Sequence, residues 1–308
     1  MTRPLYGGQA ILEGVMMRGQ RHVAVAVRHP QGHIVTRAEA LPHRLHGGLI
    51  GRIPFVRGMI LLWEALTLGT RALAFSAQVA AADEDDGAEP EDLPPRSAVR
   101  GTMLSTLLFG IGLFFVAPML IAGLFSSQIG NAALLSFVEG LLRLLLLVGY
   151  LWLIGVTPKI GRVFAYHGAE HKAVHAQERG LELVPKAVQT CSTAHPRCGT
   201  ALILVVVVIG VVLFALLGHP PLWLRILSRI LLVPVLIGLS YEWLRFLARR
   251  YQQLLVRLFV WPGLLLQSLT TRQPADDQVA VAIAALQAVI AADERAQQPT
   301  PARALETA

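Results

Sequence analysis

The chain has 308 residues, of which 54% are hydrophobic and only 15% charged, and its mean hydropathy is +0.54. A soluble domain usually carries about 25% charged residues, so these values exclude an ordinary water-soluble enzyme and point to the bilayer. The net charge of +7 does not signal nucleic acid. The arginines cluster beside apolar segments, where topology and anionic lipid headgroups account for them, and no zinc-finger, helix-turn-helix or RNA-binding signature is present.

Residues 1–22 are rich in Gly and Arg and lack a continuous apolar run, so no signal peptide is expected there. YGGQAILEGVMMRGQ is dense in glycine and reads as tight turns. His22 to Leu41 has two β-branched runs flanking Pro30-Gln31-Gly32, the pattern of a β-hairpin. Ile53 to Ala82 is apolar and helical in propensity, with Arg57, Glu64 and Arg71 seven residues apart and hence on one face. That spacing predicts an amphipathic helix lying on a membrane or packed against its spans. Asp83 to Pro95 is an acidic, proline-containing linker with too few apolar residues to pack.

Four apolar stretches follow: Met103 to Phe125, Leu134 to Val156, Thr200 to Gly218, and Leu222 to about Leu239. At about 1.5 Å per residue the longer ones cross a hydrocarbon core of roughly 30 Å. Lys and Arg concentrate before the first stretch, in 157–199 and after the fourth, which predicts cytoplasmic N- and C-termini in a multi-pass cell-membrane protein. Arg225 and Arg229 run against this bias and are expected to snorkel. Glu139 and Arg143, at i and i+4 inside the second stretch, are expected to pair, because charges at that depth are costly alone. Tyr241 to Thr271 continues as a basic, apolar helical stretch interrupted at Pro262, and Asp276 to Asp293 is a capped helix with an apolar stripe. The expected fold is therefore a mainly α membrane protein of about four transmembrane helices with a small cytoplasmic α+β N-terminal region. Its divisions are 1–82, the linker 83–100, two spans in 101–156, a cytoplasmic loop 157–199, two spans in 200–240, and a cytoplasmic helical tail 241–308.

The chemistry concentrates in 157–199. Within YHGAEHKAVHAQE, at about 100° per residue, His167, His171, His175 and Glu178 share a helix face about 80° wide, with Glu170 about 60° to the side. Histidines at i and i+4 can offer nitrogens to one ion, and His167-x-x-Glu170-His171 has the H-x-x-E-H order of inverted zincins. The chain's two cysteines follow in Cys191-x3-His195-x2-Cys198. In the reducing cytoplasm they suit metal ligation or a reactive thiol better than a disulfide. The expected ligands are His167, His171, His175, Glu178, Cys191, His195 and Cys198, the expected cofactor a divalent metal, zinc by donor type, and Glu170 the expected general base. A solvated polar helix face is the bland alternative for the histidines, and a loop salt bridge with Arg18 is the expectation for Glu13.

YGGQAILEGVMMRG, YHGAEHKAVHAQE and CSTAHPRCGT together resemble the YqhQ-like family of bacterial membrane proteins, over about Tyr6 to Ala292. The resemblance implies a domain of unknown function described only as predicted metal-dependent enzymes. The leading expectation is a membrane-embedded, metal-dependent hydrolase acting on a lipid-linked or membrane-protein substrate, with membrane lipids as partners. A non-enzymatic metal- or redox-responsive scaffold is the alternative, and a transporter ranks third.

Overall fold

HVAVAVR alternates Val with Ala, and in the computed structural model both sets are buried, because this strand lies in a sheet covered on two sides. The structure describes residues 6–41, 53–81, 97, 100–218 and 220–297; the expected acidic linker, together with His43 and His46, lies outside them. Four strands, β1 (Gly7–Ile11), β2 (Gly14–Arg18), β3 (His22–Arg28) and β4 (Ile34–Ala40), form an antiparallel meander in chain order. The hairpin expected over His22 to Leu41 is β3–β4, closed by His29 to His33 with Gly32 at φ +94°. The glycine-dense start, read as turns, forms a second hairpin, β1–β2, around Leu12 and Glu13.

Nine helices of at least two turns follow among the described residues: α1 (Val56–Ala81), α2 (Arg100–Gly123), α3 (Ala132–Val156), α4 (Pro158–Arg179), α5 (Thr200–Leu216), α6 (Leu222–Leu231), α7 (Val233–Arg249), α8 (Leu254–Thr270) and α9 (Asp276–Arg295). Val15, Met17, Ala24 and Ala26 face α4 and α9, where the alanines admit close approach of helix to sheet. Met16, Val23, Val25 and Val27 face Leu68, Ala72, Phe75 and Val79 of α1. The three charges of α1 are all paired: Arg57 with Glu242, Glu64 with Arg18, and Arg71 with Glu39. Their face is thus turned toward the sheet and α7, and the helix is held by protein along its length.

α1, α2 and α3 are long and apolar enough to cross a membrane, and the bent pair α6–α7 makes a fourth if counted as one span. The expected span at Thr200 to Gly218 is the 17-residue α5, shorter than the others, packed on α3, α7 and α8. The expected span at Leu222 to Leu239 is broken by 44° next to Pro234, which opens α7. The expected interruption at Pro262 does not occur: α8 runs straight through it. α2 contains a π-helical turn at Gly112–Val116. Leu108, Phe109, Leu145, Trp152, Val208 and Val212 are exposed on the outside of these helices, an apolar surface of the kind that marks membrane or protein contacts.

Candidate functional site

α4 starts at Pro158, whose missing N–H costs nothing in a first turn, and ends at Gly180 in the left-handed region. Its inner side packs so closely on the end of α8 that a Cβ at Gly168 would fall 2.1 Å from the carbonyl oxygen of Arg272. The segment 189–198 lies as a strap over the same helix. Lys172 Nζ donates to the carbonyls of Gln189 (2.8 Å) and Cys191 (2.7 Å), and His175 Nε2 lies 2.9 Å from the carbonyl of Ala194. The helical motif and the cysteine-containing motif therefore converge.

They converge in two groups. In the first, one donor atom each from His167, His171 and Cys198 lies within 4.8 Å of the others. His167 Nδ1 is 2.8 Å from the carbonyl oxygen of Thr270, and His171 Nδ1 is 2.5 Å from that of Thr193. A carbonyl only accepts, so each Nδ1 carries the proton and each Nε2 keeps its lone pair. His167 Nε2 is 3.3 Å from Cys198 Sγ. Two ligands on a tetrahedral zinc, with Zn–N about 2.0 Å and Zn–S about 2.3 Å, stand about 3.5 Å apart, which the His167–Cys198 pair matches. Carbonyl-bonded Nδ1–H groups are also the usual support of metal-ligating imidazoles.

The second group is His175, Glu178 and His195. It is less suited to an ion. His195 Nδ1 accepts the N–H of Arg197 at 3.3 Å, which leaves the proton on Nε2, 3.4 Å from Glu178 Oε1. Glu178 is itself paired with Arg197. Burial lowers the pKa of His195 against the opposing charge of Glu170, and burial likewise lowers that of His175, so both rings favour the neutral form. The rings of His167, His171, His195 and His175 form a continuous row with neighbouring centroids 4.4, 5.7 and 4.6 Å apart.

Cys191, expected among the ligands, belongs to neither group: its side chain lies in the core with Val188, Ala173 and Leu286. Glu170 is only 4% exposed, with Oε2 3.5 Å from His171 Nε2. It lines a cavity of about 350 Å³ with His171, His195 and Cys198, opposite β1. Arg18, paired with Glu64, and Arg197, paired with Glu178, line the same cavity. Glu13 does form an ion pair, but with Arg162 of α4 (2.6 Å) and not with Arg18. The Arg162 guanidinium holds its carboxyl below the usual range, and Tyr166, pushed up to about 12 chiefly by burial, donates to it at 3.2 Å.

Gln267 was not anticipated. Fully buried in α8, it accepts the N–H of His195 and donates to the His195 carbonyl, both at 2.9 Å, and so clamps the strap. A lone amide in the apolar run WPGLLLQSLT was its only signal in the sequence.

Residues 53–292 match a family model described as "Protein of unknown function (DUF1385)". The chain is 35% identical over 311 residues to "Uncharacterized protein YqhQ" of Bacillus subtilis (strain 168), covering 96% of each chain. No solved structure matches.

Proposed function

Since the chain belongs to the DUF1385 family, whose description names no reaction, we propose its function from the site: a multi-pass membrane protein with a metal-dependent hydrolase centre at the cytoplasmic face. The observation that carries this reading is the convergence of a donor atom each from His167, His171 and Cys198, with His171 and Cys198 at the wall of a cavity. His167, His171 and Cys198 would hold the ion, zinc by donor type, as a three-residue set that leaves a position for substrate. When bound, such an ion supplies Lewis acidity toward a carbonyl or phosphoryl group. Glu170 faces the same cavity and is placed to take a proton from an attacking water. A lipid-linked or membrane-protein substrate suits a site beside apolar helices. The distribution of Lys and Arg supports cytoplasmic termini and membrane lipids as surroundings.

A second reading rests on the 3.5 Å between Glu170 Oε2 and His171 Nε2. If Glu170 serves as a fourth ligand, the site closes and becomes a structural or sensing centre. Elemental analysis of detergent-purified protein separates the two when wild type is compared with His167→Ala/His171→Ala and Glu170→Gln. The hydrolase reading expects near-stoichiometric metal in wild type and Glu170→Gln, its loss in the double variant, and turnover on a phosphoester panel reduced about 100-fold or more by Glu170→Gln. Metal lost with Glu170 alone supports the closed centre. No metal in wild type after incubation with zinc would refute both.

A further inference from the structure

At the end of the helical bundle away from the sheet, one carboxylate is surrounded by three guanidinium groups. Glu139 of α3 accepts from Arg143 Nη2 (2.8 Å) and from Arg229 Nε and Nη2 (3.0 and 2.9 Å). Arg225 Nη2 stands 4.0 Å from the same carboxylate. Glu139, Arg143 and Arg229 are at most 2% exposed and Arg225 is 9% exposed. Arg143 Nε donates at 2.7 Å to the Phe114 carbonyl of α2, whose α-helical donor would be Pro118, a residue without an N–H. Arg229 lies over the Phe214 ring at 3.7 Å. Those two arginines thus bond to protein through both Nε and Nη2.

Arg225 does not. Its Nε and Nη2 are buried without a hydrogen-bond partner among the described residues. Among the described residues, three guanidinium groups face one carboxylate in a bundle whose outer surface is apolar. Around Arg225, the residues Leu222, Trp223, Leu227 and Leu231 are exposed. Buried N–H groups on a cation are costly when unpaired. A planar fork of donors matches a tetrahedral oxyanion in two-point geometry, and tryptophan beside it marks the depth at which lipid phosphates sit. The positive-inside bias, which Arg225 and Arg229 contradict, gives no other reason for them here.

We infer that Arg225, backed by Arg229 and Arg143, binds a phosphate group, of the chemistry shared by an anionic phospholipid headgroup and free inorganic phosphate. The site is separate from the His/Cys centre: α5 alone, from Thr200 beside Cys198 to Phe214 beside Arg229, places them roughly 20 Å apart at 1.5 Å per residue. The inference does not rest on the hydrolase reading.

The test is thermal melting and native mass spectrometry of the full chain in detergent. Phosphatidylglycerol, phosphatidylcholine and inorganic phosphate are titrated separately. The variants are Arg225→Gln, and Arg249→Gln as a matched loss of one exposed charge. Arg225→Gln leaves the Glu139–Arg143–Arg229 bonds intact, so its ligand-free melting should stay near wild type. A shift with phosphatidylglycerol exceeding that with phosphatidylcholine identifies the lipid as the source, and a shift with inorganic phosphate identifies the free ion. Either supports the site if the apparent affinity falls about tenfold or more in Arg225→Gln and is kept in Arg249→Gln. No shift with any anion, an undiminished shift in Arg225→Gln, or equal loss in both variants would overturn it.

Discussion

Replacing Gln267 by leucine isolates one polar contribution to the candidate centre. The side chain is fully buried, and leucine fills similar space, so the cavity term is small. What is lost is the pair of 2.9 Å bonds to the main chain of His195. The His195 carbonyl keeps the N–H of Cys198 at 3.3 Å, but the His195 N–H is left buried with no acceptor. An orphaned donor of this kind costs about 1–3 kcal/mol, so the expected loss is about 2 kcal/mol. The same strap carries Cys198, three residues further on. Loosening it should raise the apparent zinc dissociation constant about 10–100-fold, the usual scale for groups that support metal ligands. Competition against a chelator of known affinity reads the metal term, and melting of the metal-free protein reads the structural one. Gln267→Glu keeps an acceptor for His195 N–H but sets a buried carboxylate oxygen against the His195 carbonyl, so it should melt no higher than the leucine variant. Unchanged melting together with unchanged zinc affinity in Gln267→Leu would show that the strap is held by other means.

Two further outcomes test the scaffold. Asp293 of α9 is 1% exposed and accepts from the main-chain N–H groups of Gln20 (2.7 Å) and Arg21 (3.0 Å) and from His22 Nδ1 (2.9 Å), tying the last helix to the β2–β3 turn. Asp293→Ala should cost about 3 kcal/mol, read as a lower melting temperature in detergent, and a loss below about 1 kcal/mol would mean that water replaces the carboxylate. Glu13 has a pKa depressed mainly by its hydrogen bond with Arg162, so its contribution is present above the unfolded carboxyl value and lost as pH falls through the folded one. Because the pair is partly solvated, Glu13→Gln should lower stability by less than about 1 kcal/mol at pH 7, with the difference shrinking below about pH 4.5; a difference that grows in acid contradicts the sign.

The β3–β4 hairpin was legible because Val alternation and a Pro-Gln-Gly turn are local signals. β1–β2 was not, because GGQAI and GVMMR have little β propensity of their own and become strands through pairing, β2 on β3 and β1 on β2. The seven-residue spacing of Arg57, Glu64 and Arg71 gave the correct single face, yet the partners Glu242, Arg18 and Glu39 are distant in sequence and no spacing names them. The break between α6 and α7 had its signal in Pro234, which was outweighed by the continuous apolar run around it. At Pro262 the weighting erred the other way: a single missing N–H bond does not end a helix that packs against α5 and α3.

Helical spacing put His167, His171 and His175 on one face, but a face does not determine how many centres it serves. The strap decides that, by laying Cys198 beside His167 and laying His195 one turn further along, beside His175 and Glu178. Cys191 is drawn out of the site because Lys172 holds the strap by its carbonyls, which leaves the thiol to fill the core beneath. The orientation of each ring is fixed by main-chain oxygens of Thr193 and Thr270, groups that every residue possesses. A motif can therefore announce imidazoles without announcing which nitrogen is free. His167 Nε2 beside the Cys198 thiol, with a donor atom of His171 close to both, separates a metal-competent group from the neighbouring one, in which Glu178 is already paired with Arg197.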